Sequence, residues 1–135
     1  MKEMTFAAKL DNIPVVTDFI EAELEAVDCP MKIMMQIDMA VDEIFTNIAS
    51  YAYVPGEGDA TVRFDFDADR RVVSICFIDS GVPFDPLAKE DPDVTLSAQE
   101  RPIGGLGIFM VKKSMTDVRY EYVDGKNQLT LFKQL

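Results

Sequence analysis

The sequence predicts an α/β two-layer sandwich, a mixed and mostly antiparallel sheet covered on one face by helices. Three observations predict it. Hydrophobic residues recur with a helical period from residue 13 to about residue 53, and the period then switches to two. The strand-like runs are joined by short turns, which implies antiparallel neighbours. A length of 135 residues with 48% hydrophobic content suffices for one core and is too short for two, so a single domain over residues 1–135 is expected.

Met4 to Lys9 forms the first expected strand. Asp11 and Asn12 offer a helix cap, with Pro14 in the first turn. Val16, Phe19, Ile20, Leu24 and Val27 then follow at helical spacing, which predicts a helix over 13–27. Asp28-Cys29-Pro30 ends it and opens another, because proline suits a first turn and not a helix interior. That second helix runs to about Tyr53, burying Met34, Ile37, Val41, Ile44, Ile48 and Ala52, and Val54-Pro55-Gly56-Glu57-Gly58 stops it. Val62, Phe64 and Phe66 alternate with Thr61, Arg63 and Asp65, the pattern of a strand with one wet face. Val72 to Ile78 is more apolar and belongs deeper in the sheet. Residues 80–103 have no period and carry Pro83, Pro86, Pro92 and Pro102; loops of such length inside a compact domain are usually functional or mobile. Gly104-Gly105-Leu106-Gly107 opens a third helix ending near Met115. Val118-Tyr120-Tyr122 and Leu129-Leu131 form a closing hairpin around Asp124-Gly125-Lys126-Asn127.

Charge and residue usage exclude several function classes. Lys plus Arg number 13 against 24 Asp plus Glu, a net charge of −11. A surface this acidic repels phosphate backbones and anionic lipid, so neither nucleic acid nor a membrane is an expected partner. Histidine is absent, which removes Ser-His-Asp and Cys-His catalysis and histidine-ligated zinc. Cys29 and Cys76 read as small buried hydrophobes of a reducing compartment. With no apolar leader and no membrane-length run, the expected location is cytoplasmic.

Three constellations carry chemistry. Glu43 and Asn47 stand four apart on the second helix and therefore on one face; the carboxylate could accept a proton and the amide oxygen could complete the shell of a Mg²⁺ ion. Asp79 leaves the end of the most buried strand, where a carboxylate can accept from an exocyclic amine, and Gly81 lets a flat ring approach the backbone. Gly104, Gly105, Leu106 and Gly107 open a helix whose unpaired N–H groups and dipole suit an anion. Each has a bland reading when taken alone: a solvated helix pair, an Asp-x-Gly turn, a glycine-rich loop. Together they are the parts of an adenine nucleotide site.

With these motifs in view, the chain resembles the Bergerat or GHKL ATP-binding domain shared by gyrase, the Hsp90 chaperone, histidine kinases and the MutL repair proteins. Within that superfamily it is most similar to the bacterial anti-sigma-factor serine/threonine kinases. Glu43-Ile44-Phe45-Thr46-Asn47 with Tyr51-Ala52-Tyr53 resembles their N box. Asp79 to Pro86 and Gly104 to Lys112 resemble the two glycine boxes, and Asn127 to Leu131 the closing strand. Pro83 stands where many superfamily members have a second glycine. The resemblance implies Glu43 as general base, Asn47 as Mg²⁺ ligand, Asp79 as adenine acceptor, Thr130 as a support of the adenine pocket, and Gly105 and Gly107 facing the phosphates. It implies that residues 86–103 are the nucleotide lid. Arg101, Lys112 and Lys113 flank the glycine box, open to phosphate contact or plain solvation, and Arg101 is the residue expected to touch a phosphate when ATP orders the lid.

The function so implied is a Mg·ATP-dependent protein serine kinase that phosphorylates an anti-sigma-factor antagonist and sequesters a partner such as a sigma factor, with a homodimer as a possible assembly. The alternative is a non-catalytic ATP-binding module whose nucleotide-ordered lid controls partner binding. A histidine kinase acting in cis is excluded, since the chain has no phosphoacceptor histidine.

Overall fold

The computed structural model describes residues 1–88 and 106–135. Strand β1 (Lys2–Ala7) leads through a short turn into α1 (Ile13–Ala26) and α2 (Met31–Asn47), followed by β2 (Asp59–Asp67) and β3 (Val72–Asp79). Helix α3 (Leu106–Ser114) then precedes β4 (Asp117–Val123) and β5 (Lys126–Gln134). The strands lie in the order β1-β2-β3-β5-β4, with helices packed on one face.

The two-layer sandwich is as the periodicity predicts, and among the described residues all four ladders are antiparallel. Topology explains this pairing. Helices α1 and α2 form an up-and-down pair that returns the chain to the end it left, so Ala7 faces Asp59. The crossover through α3 does make β4 run parallel to β3. Strand β5 then folds back and inserts between them, opposing Ile75 to Leu131 on one side and Val118 to Leu131 on the other. The β4–β5 turn is only Asp124-Gly125, with φ of 54° and 75°, the paired left-handed conformation that matches the twist of a two-residue hairpin.

The core lies between the helices and the inward face of the central strands. Val16, Ile20 and Leu24 of α1 and Ile37, Val41, Ile44 and Phe45 of α2 pack on Val62, Phe64, Val73, Ile75, Phe77 and Leu131. Phe45 is fully buried although the heptad-like stripe read from the sequence omits it; it meets Phe6 of β1 edge-on at 6.5 Å between ring centres. Asn12 does not cap α1 through its side chain but donates to the Ala7 carbonyl at 2.8 Å. At its C-terminal end α2 widens into a π turn over Ile48–Ala52, a deformation that frequently marks functional sites.

One polar group intrudes between the first two helices. Asp38 of α2 has a buried Oδ1 with no partner among the described residues. Burial, then the hydrogen bond and negative charge of Glu21 on α1, push its carboxyl up to about 7. Among the described residues no helix is long and apolar enough to cross a membrane.

Candidate functional site

Where α2 ends in its π turn, the C-terminal end of β3 and the β4–β5 hairpin diverge from it and leave a cleft. Its walls are apolar, built from Ile44, Ile48, Ala52, Phe77, Val82 and Leu129, with Tyr51, Phe84 and Pro86 at the sides. Into this apolar slot project Asn47, Asp79, Tyr120 and Asn127. Asp79 and Asn127 face one another across β3 and β5, and they are the buried polar residues among those described.

Their hydrogen bonds explain how the fold tolerates them there. Asn127 Nδ2 donates to Asp79 Oδ1 at 3.0 Å and to the Val82 carbonyl at 2.9 Å. Asn127 Oδ1 accepts from the Phe84 N–H at 3.1 Å and from the Tyr120 hydroxyl. All four hydrogen-bonding positions of the amide are therefore used, which fixes its orientation. Burial raises the Tyr120 phenol above its ordinary pKa, so it remains a donor. Asp79 Oδ1 also accepts from the Gly81 N–H at 2.9 Å. Both of these bonds go to Oδ1, and Oδ2 takes none from the described residues, which leaves it as an acceptor for a bound group.

The turn after β3 is held against the π turn by close contact. Tyr53 donates its hydroxyl to the Asp59 carbonyl at 2.6 Å and accepts from the Ser80 N–H at 2.8 Å, and burial raises this phenol's pKa as well. The Val82 N–H reaches the Ala52 carbonyl at 3.2 Å. A Cβ on Gly81 would lie 2.3 Å from that same carbonyl oxygen. Gly81 is thus required by the chain's own backbone, where the sequence reading invoked a ligand ring.

A second groove lies on the other side of the Glu43–Asn47 row, between α2 and α3, lined by Met39, Glu43, Gly107, Met110 and Val111. Asn47 Nδ2 donates to Glu43 Oε1 at 3.3 Å. Asn47 lines the first cleft and Glu43 the second groove, so the bonded pair forms the boundary between them. A Cβ on Gly107 would fall 2.2 Å from the Glu43 carboxyl carbon; the glycine at the start of α3 lets this helix close on the carboxylate. Paired hard oxygen donors, an Asn Oδ1 left over beside a carboxylate, fit the one or two protein ligands that Mg²⁺ takes when phosphates and water complete its shell.

A cleft with a buried acceptor at a strand end, beside a helix carrying Glu and Asn, agrees with the match of residues 6–133 to the histidine kinase-like ATPase domain model. The chain belongs to the histidine kinase-like ATPase family. This ATPase domain is similar to the serine/threonine-protein kinase BtrW of Bordetella bronchiseptica, 30% identical over 100 residues that span 74% of the chain and 70% of that protein. It is also similar to the serine-protein kinase RsbW of Bacillus mycoides, 25% identical over 131 residues, 94% of the chain and 81% of that protein. RsbW of Bacillus cereus matches over the same extent.

Of the residues singled out in the sequence, the ATPase domain brings Asn47 and Asp79 to one cleft and sets Glu43 against Gly107. Thr130 is not with them. Strand alternation puts Asn127, Leu129 and Leu131 on the helix side, whereas Thr130 lies on the opposite face with Cys76, its register partner, and Arg119. The support of Asp79 is Asn127, three residues earlier. The signal was available: Leu129 and Leu131 are the apolar positions of the strand, and counting back in twos from them gives 127. Arg101, Gly104 and Gly105, and the 89–103 part of the expected lid, lie outside the described residues. Leu106 begins α3, and Lys112 lies on α3 outside the described lining of either cleft. Lys113 instead rests over the Phe109 ring, 5.4 Å from its centre.

Proposed function

We propose that this chain is a Mg·ATP-dependent protein serine kinase of the anti-sigma-factor type. The observation that carries the reading is the placement of the bonded Glu43–Asn47 pair between a cleft that ends on Asp79 and a separate groove open to Glu43. Adenine in the cleft would give its exocyclic amine to Asp79 Oδ2, while Asn127 holds Oδ1. Asn47 Oδ1 would ligate Mg²⁺, and the bound ion supplies neutralisation of phosphate charge. The net charge of −11 does not prevent this, because the long-range field is screened beyond about 8 Å at physiological salt.

Glu43 would take the proton of a serine hydroxyl entering from the groove. The serine Oγ–phosphorus bond forms as the bond from the γ-phosphorus to its bridging oxygen breaks, and ADP leaves with that electron pair. The names of BtrW and RsbW, protein kinases acting on serine, support this class. An antagonist of an anti-sigma factor is the proposed acceptor.

The test pairs calorimetry with a transfer assay. Wild-type protein should bind Mg·ATP and prefer it to GTP, whose carbonyl would oppose Asp79; Asp79→Ala should remove binding or most of the preference. Glu43→Gln should still bind nucleotide while transfer to a purified antagonist falls by about 10²–10⁴. Equal affinity for ATP and GTP overturns the adenine assignment. Wild-type transfer by Glu43→Gln overturns the base.

A further inference from the structure

The outer face of α2 is out of character for so acidic a chain. Met31, Met35 and Met39 stand four residues apart and are 68%, 60% and 65% exposed. Residues four apart share one face of a helix, and the next members of this row are Glu43 and Asn47. From Met31 to Met39 the exposed residues are these methionines and Lys32, with no carboxylate among them, although the chain has 24. Across the groove Met110 of α3 is 49% exposed and faces the same channel as Met39 and Glu43.

We propose that this methionine row is the docking surface for the protein that receives the phosphoryl group. Its occupant is an apolar helical face of that protein, laid along Met31, Met35 and Met39 and carrying the acceptor serine beside the Met39–Met110 groove. The inference rests on the kinase reading given above. Continuity identifies the occupant. Nucleotide enters on the Asn47 side, so the hydroxyl must reach Glu43 through the groove, and whatever delivers it there covers Met39 and Met110. The row extends that contact by two further turns, to Met31 about 18 Å from Glu43 along the axis. Methionine suits the purpose, since its flexible, polarisable thioether adapts to a partner's side chains, and an apolar helix laid in a groove is a recurrent recognition mode. Lys32 is the charged side chain among the exposed residues from Met31 to Met39, and exposed carboxylate begins only at Asp42 beside the groove, so an apolar face laid on the row meets no exposed carboxylate before the groove.

The probe is the serine-bearing antagonist purified for the transfer assay, and the variant is Met31→Gln/Met35→Gln, which keeps helix propensity and lies away from the nucleotide cleft. The expected result is a KM for the antagonist raised about tenfold, with kcat and ATP affinity within about twofold of wild type. An unchanged KM overturns the docking surface while leaving the kinase reading intact. If the variant instead turns a dimer into a monomer in sedimentation with KM unchanged, a second copy covers the row. If ATP affinity shifts with KM unchanged, residues 89–105 cover it. Both results overturn the proposal. No transfer by the wild-type protein refutes the kinase reading itself, and the docking surface with it.

Discussion

Replacing Asn127 with leucine tests whether the buried amide organises the cleft. Leucine keeps the number and branching of the side-chain heavy atoms, so the perturbation removes the hydrogen bonds and opens no cavity. Four contacts disappear: those to Asp79 Oδ1 and the Val82 carbonyl, and those from the Phe84 N–H and the Tyr120 hydroxyl. A bond to a charged acceptor contributes about 1.5–3 kcal/mol and a neutral one about 0.5–1.5 kcal/mol. Val82 and Phe84 are themselves 62% and 42% exposed, so water recovers part of the neutral contribution. The net loss is then about 3–5 kcal/mol, most of it from Asp79, which stays buried with one fewer donor. Urea unfolding followed by circular dichroism should show the midpoint falling by at least about 1 M, since m is about 1–3 kcal/mol/M for small proteins. ATP affinity should fall with it, because Asp79 is no longer held. An Asn127→Leu variant within about 1 kcal/mol of wild type, binding ATP normally, would show that the amide network does not hold Asp79.

Three further outcomes follow from the same packing. Gly81→Ala puts a Cβ 2.3 Å from the Ala52 carbonyl oxygen; overpacking of this kind costs about 1–3 kcal/mol, so the thermal midpoint should drop, and an unchanged midpoint would refute the close approach. Gly107→Ala drives a Cβ onto the Glu43 carboxyl. That flexible side chain can swing away, so transfer activity should fall much more than stability, and equal losses in both would contradict the placement. Asp38 is held near 7 in the folded chain against 3.8 for a free carboxyl, so the folded state binds the extra proton between those values. Stability should therefore decline as pH rises from about 4 to 7, and Asp38→Asn should flatten that slope in urea titrations; an identical slope would remove Asp38 from the account.

What was legible in the sequence was whatever depends on period. Helical spacing located α1 and α2, and alternation located β2 and β5, because burial on one face leaves a repeating mark. Phe45 stands four residues after Val41, beside the stripe, and its burial comes from the core around it, with Phe6 of β1 edge-on to its ring. The strand order was not legible either, since nothing local in Lys126–Gln134 says that this strand will enter between β3 and β4. Glu43, Asn47 and Asp79 could be picked out by residue type. For Asn127 residue type is silent, because its bond to Asp79 comes from 48 residues away; only strand parity marks it, and the same parity puts Thr130, which motif position suggests, on the other face. Gly81 is marked in the sequence by its place after Asp79, and the structure adds a reason of its own for glycine there, the close approach of the Ala52 carbonyl.

The insertion of β5 between β3 and β4 means that the cleft is complete only when the last strand of the chain is in place. Glu43, Asn47 and Asp79 come from the first three strands and two helices, whereas Leu129, Tyr120 and Asn127 supply a wall of the cleft from the last two strands. Until β5 arrives, β3 is a bare sheet edge, apolar and able to pair with another chain. Its correct partner comes from the far end of the domain, a long-range closure of the kind that slows folding. Nucleotide binding would accordingly report that the sheet is complete, and a ligand present during folding would favour the correctly threaded sheet over any arrangement in which β4 takes the place beside β3.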